Sequence, residues 1–203
     1  MKEPVFFKFR SRMVSSTLQA GAPELKRDVD GEDKVWNLIK GKYEGIDFPV
    51  VFKQYDGKNL TDLLDTGWSS RHLISDRMKN ILEENHLTGW KTFPIKLYDK
   101  KGNEILGYHG FSVTGRCAPI DYEKSEIIEK RLVPTGTLCK YYKGQHIDID
   151  KCDGSDFFAP DDVYSVFVTE KAAIALKKYK ITNLDLKNSL DAEIDVTIIK
   201  KKR

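Results

Sequence analysis

Apolar and polar positions fall into one pattern twice along this chain. Leu73 to Phe93 reads LISDRMKNILEENHLTGWKTF, and Phe167 to Leu186 reads FVTEKAAIALKKYKITNLDL. Ser75 matches Thr169, Leu82 matches Leu176, Leu87 matches Ile181 and Thr88 matches Thr182, each 94 positions apart with no gap. Both copies open with two apolar residues, a hydroxyl residue and an acid: Leu73, Ile74, Ser75, Asp76 and Phe167, Val168, Thr169, Glu170. The pattern predicts a strand end running into a helix start, the hydroxyl accepting a bond from an orphan N–H and the acid facing the positive end of the dipole. Met78, Ile81 and Leu82, and Ala172, Ala175, Leu176 and Tyr179, then recur at helical spacing. Gly89 and Asn183 follow at matched positions and suit a left-handed helix exit. An edge strand or extended segment resumes at Trp90 and Leu184.

Around these units the apolar runs are short. Val5–Phe9 alternates as a strand does, and a charged, glycine-rich excursion with one helical turn near Glu24–Arg27 follows. Val35–Ile39 and Phe48–Phe52 are apolar, and Pro49 places the second at a strand start or edge. Leu60, Leu63 and Leu64 have helical spacing. Asp99–Asn103 separates Phe93–Tyr98 from Glu104–Val113, the clearest hairpin in the chain. Further short strands are predicted at Ile127–Ile128, Leu132–Val133 and Leu138–Tyr142. Ile147 and Ile149 alternate with Asp148 and Asp150 as a strand with one acidic face, and Lys151–Asp162 reads as a loop. The expected fold is α+β, an antiparallel sheet with two or three short helices, including the two similar strand-helix units. Residues 1–58 are expected as strands and loops of the same domain, 59–190 as its core, and 191–203 as a closing strand and basic tail.

A chain of 203 residues with 40% apolar content suffices for one packed domain. The formal charge of +3 supplies no global field toward nucleic acid or anionic lipid. Cys117, Cys139 and Cys152 are odd in number and widely spaced, as for reduced thiols in a cytoplasm, and the amino terminus lacks the apolar run of a secretory signal.

Catalytic patterns fail on inspection. Cys139, His146 and Cys152 lack the spacing of a zinc site, and Gly110-Phe111-Ser112-Val113-Thr114-Gly115 misses the nucleophile elbow by one residue. No glycine-rich phosphate loop adjoins Ser75 or Thr169. A helical calcium loop starting at Asp148 would need an oxygen ligand at Cys152, a glycine at Asp153 and a glutamate at Ala159. No cofactor or metal is implied. Asp148, Asp150, Asp153, Asp156, Asp161 and Asp162 nevertheless form the most one-signed stretch, a face that a basic partner would find. Lys200–Arg203 is a basic run that could touch phosphates.

The order DLLDTGWSSRHLISDRMKNILEENHLTGWKTFPIKLYDKKGNE, GRCAPIDYEKS, SDFFAPDDVYSVFVTEKAAIALKKYKITNLDL resembles the bacterial immunity protein family eleven, over roughly Asn59 to Leu186. The shared features are the Ser-acid helix ending in Leu-Thr-Gly, the hairpin, Asp121 to Ser125, Phe157 and Phe158 after a polar loop, and the second Ser/Thr-acid helix; Asn183 stands where the family pattern has glycine. The resemblance implies a non-enzymatic protein that neutralises a cognate protein toxin, encoded by a neighbouring gene, by direct binding. Two alternatives remain open. One is a small enzyme gathering His109, Asp121 or Ser125; the other is an RNA-associated protein using Lys200–Arg203.

Overall fold

A computed structural model describes residues 4–12, 14–23, 34–67, 72–131, 133, 135–161, 163, 165–197 and 199. In chain order it places β1 (Phe6–Ser11), β2 (Gln19–Gly21), α1 (Lys34–Ile39), β3 (Val50–Asp56), β4 (Leu63–Asp65), β5 (His72–Ser75), α2 (Asp76–Glu84) and β6 (Trp90–Phe93). There follow β7 (Ile95–Tyr98), β8 (Glu104–Ile105), β9 (Tyr108–Val113), β10 (Gly115–Cys117), β11 (Glu126–Arg131) and β12 (Leu138–Lys143). The chain closes with β13 (Phe157–Pro160), β14 (Val166–Thr169), α3 (Glu170–Lys178), β15 (Leu184–Asn188) and β16 (Glu193–Asp195). The architecture is α+β.

The strands form three sheets, ordered β6-β9-β5-β4-β2-β3-β7-β8, β10-β13-β14-β1-β15 and β11-β12-β16. The expectation of antiparallel pairing throughout needs correction. β2 runs parallel to β4, β3 to β7 and β10 to β13. Each of these pairs joins strands distant in sequence, so no local turn fixes their direction.

The 94-residue register extends well beyond the helices. β5, α2 and the start of β6 match β14, α3 and the start of β15, and the pairing Leu63↔Ile74, Leu64↔Leu73 recurs as Phe157↔Val168, Phe158↔Phe167. Ser75 Oγ accepts from the N–H of Met78 at 3.1 Å, and Thr169 Oγ1 accepts from the N–H of Ala172 at 3.4 Å. β9 lies between β5 and β6, and β1 holds the same place between β14 and β15. The amino-terminal strand thus completes the second unit. One core joins the two: Met78, Ile81 and Leu82 of α2 and Ala172, Ala175 and Leu176 of α3 pack with Phe9, Phe111 and Phe157.

Two buried carboxylates lock the units together, and they too are 94 positions apart. Asp62, beside β4, accepts from Ser75 Oγ (2.8 Å), Arg77 Nη1 (2.6 Å), and the backbone N–H and Oγ1 of Thr182 (both 2.9 Å). Asp156, beside β13, accepts from Thr169 Oγ1 (2.9 Å), Lys171 Nζ (3.1 Å), and the backbone N–H and Oγ1 of Thr88 (3.0 and 3.3 Å). Each acid therefore holds its own helix start and the turn after the other unit's helix. Arg77 also reaches the carbonyl of Tyr179, and Lys171 that of His86, so each helix start supplies a cation to the other helix's negative end.

Several local expectations change. The left-handed helix exits are His86 (φ 48°) and Lys180 (φ 51°), while Gly89 (φ 82°) and Asn183 (φ 59°) turn the chain into the next strand. Leu63 and Leu64 belong to strand β4, whose neighbours on both sides override the helical spacing. Gly107 (φ 81°) breaks Glu104–Val113, so the hairpin is β7 with the two-residue β8, and β9 pairs elsewhere. Ile147–Asp150 is no strand: Asp148 caps a 3-10 turn at Ile149–Lys151. Lys151–Asp162 contains the buried strand β13. Glu24–Arg27, Trp68, Asp162 and Lys200–Arg203 lie outside the described residues.

His72 of β5 is buried beside Phe9, and burial pushes its pKa down to about 4, against the opposing pull of the Asp65 carboxylate. The folded protein keeps this ring neutral where the unfolded chain, near 6.5, takes up a proton. Stability is therefore full above pH 6.5 and falls as pH drops toward 4. Denaturant unfolding at pH 7.5 and pH 5 should show a loss on the order of 2 kcal/mol from this group. His72→Leu should flatten that part of the slope, and an unchanged slope would refute the assignment.

Candidate functional site

The acidic segment is built on the second unit, between β12 and β14. Its first turn, Ile149–Lys151, sits beside a second 3-10 turn, Tyr122–Lys124, with backbone bonding between Asp121 and His146 joining the two. Both turns use the same local chemistry: an aspartate accepts the N–H two residues on and pairs with a lysine three residues on. Asp121 bonds the N–H of Glu123 and Lys124 Nζ, and Asp148 bonds the N–H of Asp150 and Lys151 Nζ at 2.8 Å. Lysine pairing holds the Asp121 and Asp148 carboxyls below their ordinary range, and Asp148 in turn raises the Lys151 ammonium.

The six aspartates singled out in the sequence divide sharply here. Asp150, Asp153 and Asp161 are exposed and Asp148 is half-buried. Asp156 is 6% exposed and occupied by Thr88, Thr169 and Lys171, so it faces the core and not a partner. Asp153 accepts from the N–H groups of Arg116 and Ser155; burial works to raise its carboxyl, and these bonds outweigh burial and hold it low. Arg116 also lies within electrostatic reach of Asp161. The surface charge is consequently weaker than the sequence run suggests.

An apolar residue sits inside this polar frame. Ile149 is 50% exposed between Asp148 and Asp150. Alternation with aspartates predicts a strand here, and the capped turn instead presents Ile149 to solvent. A half-exposed aliphatic side chain flanked along the chain by Asp148, Asp150 and Lys151 can serve as a contact anchor with polar neighbours.

Cys117 and Cys152 form a disulfide across 35 residues, linking β10 to the end of the Ile149–Lys151 turn, and Cys139 alone is free. That pairing corrects the expectation of three reduced thiols. Among the described residues no group of three His, Cys, Asp or Glu side chains could hold a metal ion. His109 bonds Asp76 at 2.6 Å, Asp121 caps a turn, and Ser125 Oγ donates to the carbonyl of Gly144. Each is committed to separate local structure. Ser112, the near-miss nucleophile, is fully buried in β9 and donates to the carbonyl of Leu38.

The sequence profile of the Immunity protein family (Imm11) matches residues 12–191 of the 203-residue chain. The chain belongs to the Imm11 immunity protein family. Both strand-helix units, both aspartate locks and the acidic segment fall inside the Imm11 match. No curated protein matches the chain. Among the described residues no helix is long and apolar enough to cross a membrane.

Proposed function

We propose that this chain is an immunity protein that neutralises a cognate bacterial toxin by stoichiometric binding, without catalysis. The observation that carries this reading is the Imm11 match across residues 12–191. The toxin is the product of a neighbouring gene. Its docking face includes Ile149 as the apolar anchor, with Asp148, Asp150, Asp153 and Asp161 as acidic neighbours. Asp162 belongs to the same run in sequence. A basic toxin suits this face, since opposite charge speeds encounter.

Asp150 and Asp161 are the positions for charge reversal, because neither supports a turn by its own side-chain bond as Asp148 and Asp153 do. Asp150→Lys with Asp161→Lys should slow association with the toxin about tenfold at low salt, with a smaller effect at high salt. Ile149→Ala should weaken affinity by about 2 kcal/mol, mainly through faster dissociation. Surface plasmon resonance at two salt concentrations measures both. Unchanged rates in folded variants would remove this face from the interface.

A further inference from the structure

The two units, alike in backbone, differ at one matched place. In the first, Trp90 follows the turn after α2; its indole N–H donates to the carbonyl of Leu87 at 2.7 Å and its ring stacks on Phe111. In the second, the smaller Leu184 stands at the matched position. Beside it lies a groove of about 550 Å³ between the end of α3 and β15. Its apolar floor includes Leu176, Ile181, Leu184 and Leu186.

Charge changes at the same place. Glu83, Glu84 and His86 of the first unit match Lys177, Lys178 and Lys180 of the second. Lys177, Lys180 and Arg12 line the groove. Asp185, also at the groove, is paired with Arg10 at 2.6 Å, which leaves the site cationic. β15 ends its sheet, with β1 on one side and no strand among the described residues on the other. Arg12 Nε occupies the Leu184 carbonyl at 2.9 Å, and the rest of this edge offers backbone groups to an added strand, while alternate side chains enter a groove.

We infer that the groove along β15 takes an extended acidic segment of the partner toxin. The segment adds as a strand beside Leu184–Asn188, with its carboxylates at Lys177 and Lys180 and its apolar side chains on the Leu184–Leu186 floor. This inference rests on the immunity reading and gives the same protein a second contact surface, opposite in charge to the acidic segment. A toxin that engages both surfaces carries a basic patch and an acidic strand.

The test uses the full chain and the toxin captured with it. Amide hydrogen exchange of the chain alone and in complex should show new protection at Leu184–Asn188. The pair Lys177→Glu and Lys180→Glu should weaken binding by at least about tenfold, and more at low salt than at high salt. Exchange on the unmodified protein keeps the inference testable if the double variant does not fold. A complex that forms with unprotected β15 amides and full affinity in the double variant overturns the inference and leaves the immunity reading standing. Failure of the unmodified chain to bind any neighbouring toxin overturns both.

Discussion

Asp156→Ala is expected to cost about 3–5 kcal/mol of folding stability, because it removes a buried carboxylate that several donors share. The side chain is 6% exposed and accepts from the backbone N–H of Thr88, the hydroxyls of Thr88 and Thr169, and Lys171 Nζ. Truncation leaves the Thr88 N–H without its acceptor at the turn after α2 and frees the start of α3. Asp62→Ala should cost a similar amount, since Asp62 is 7% exposed and makes the reciprocal set of bonds to Ser75, Arg77 and Thr182. Urea unfolding followed by circular dichroism measures both. A loss under about 1 kcal/mol for either acid would show that the lock is a surface contact of ordinary weight.

Removal of the Cys117–Cys152 bridge, as Cys117→Ser with Cys152→Ser, is expected to cost about 3–4 kcal/mol on the chain-entropy account of a 35-residue loop. The loss should centre on β10 and the acidic segment, which the bridge ties together. Alkylation of the unreduced, denatured protein followed by mass spectrometry should label Cys139 alone. Labelling at all three cysteines would contradict the pairing.

The repeat was legible because both units carry the same local signals in the same register. A hydroxyl cap, an acid in the first turn and an apolar helical face depend on residues within a few positions of one another, and sequence periodicity records them. Asp62 and Asp156 obey the same 94-residue offset, yet the sequence shows Asp156 only as one acid of a charged run and gives no sign of the lock. Each stands 13 positions before its helix cap, in a stretch without periodicity, and its role depends on a threonine in the other unit. The parallel pairs β2–β4, β3–β7 and β10–β13, and the use of β1 to complete the second unit, rest on contacts remote in sequence. No turn residue announces them.

The acidic site was legible as composition and not as geometry. Six aspartates in the run look alike on paper, yet β13 draws Asp156 inward while Asp150 stays in solvent. The i, i+3 spacing of Asp121 with Lys124 and of Asp148 with Lys151 was the available sign that charges would pair locally. Ile149 was disguised by alternation, which a capped turn mimics over four residues.

The most direct measurement is co-expression of the tagged chain with each neighbouring gene product, read by growth and by affinity capture. The account predicts one neighbour that arrests growth alone, permits growth with this chain, and is retained with it in a one-to-one complex. Neighbours that are all harmless, or a toxic neighbour that this chain neither rescues nor retains, would contradict it.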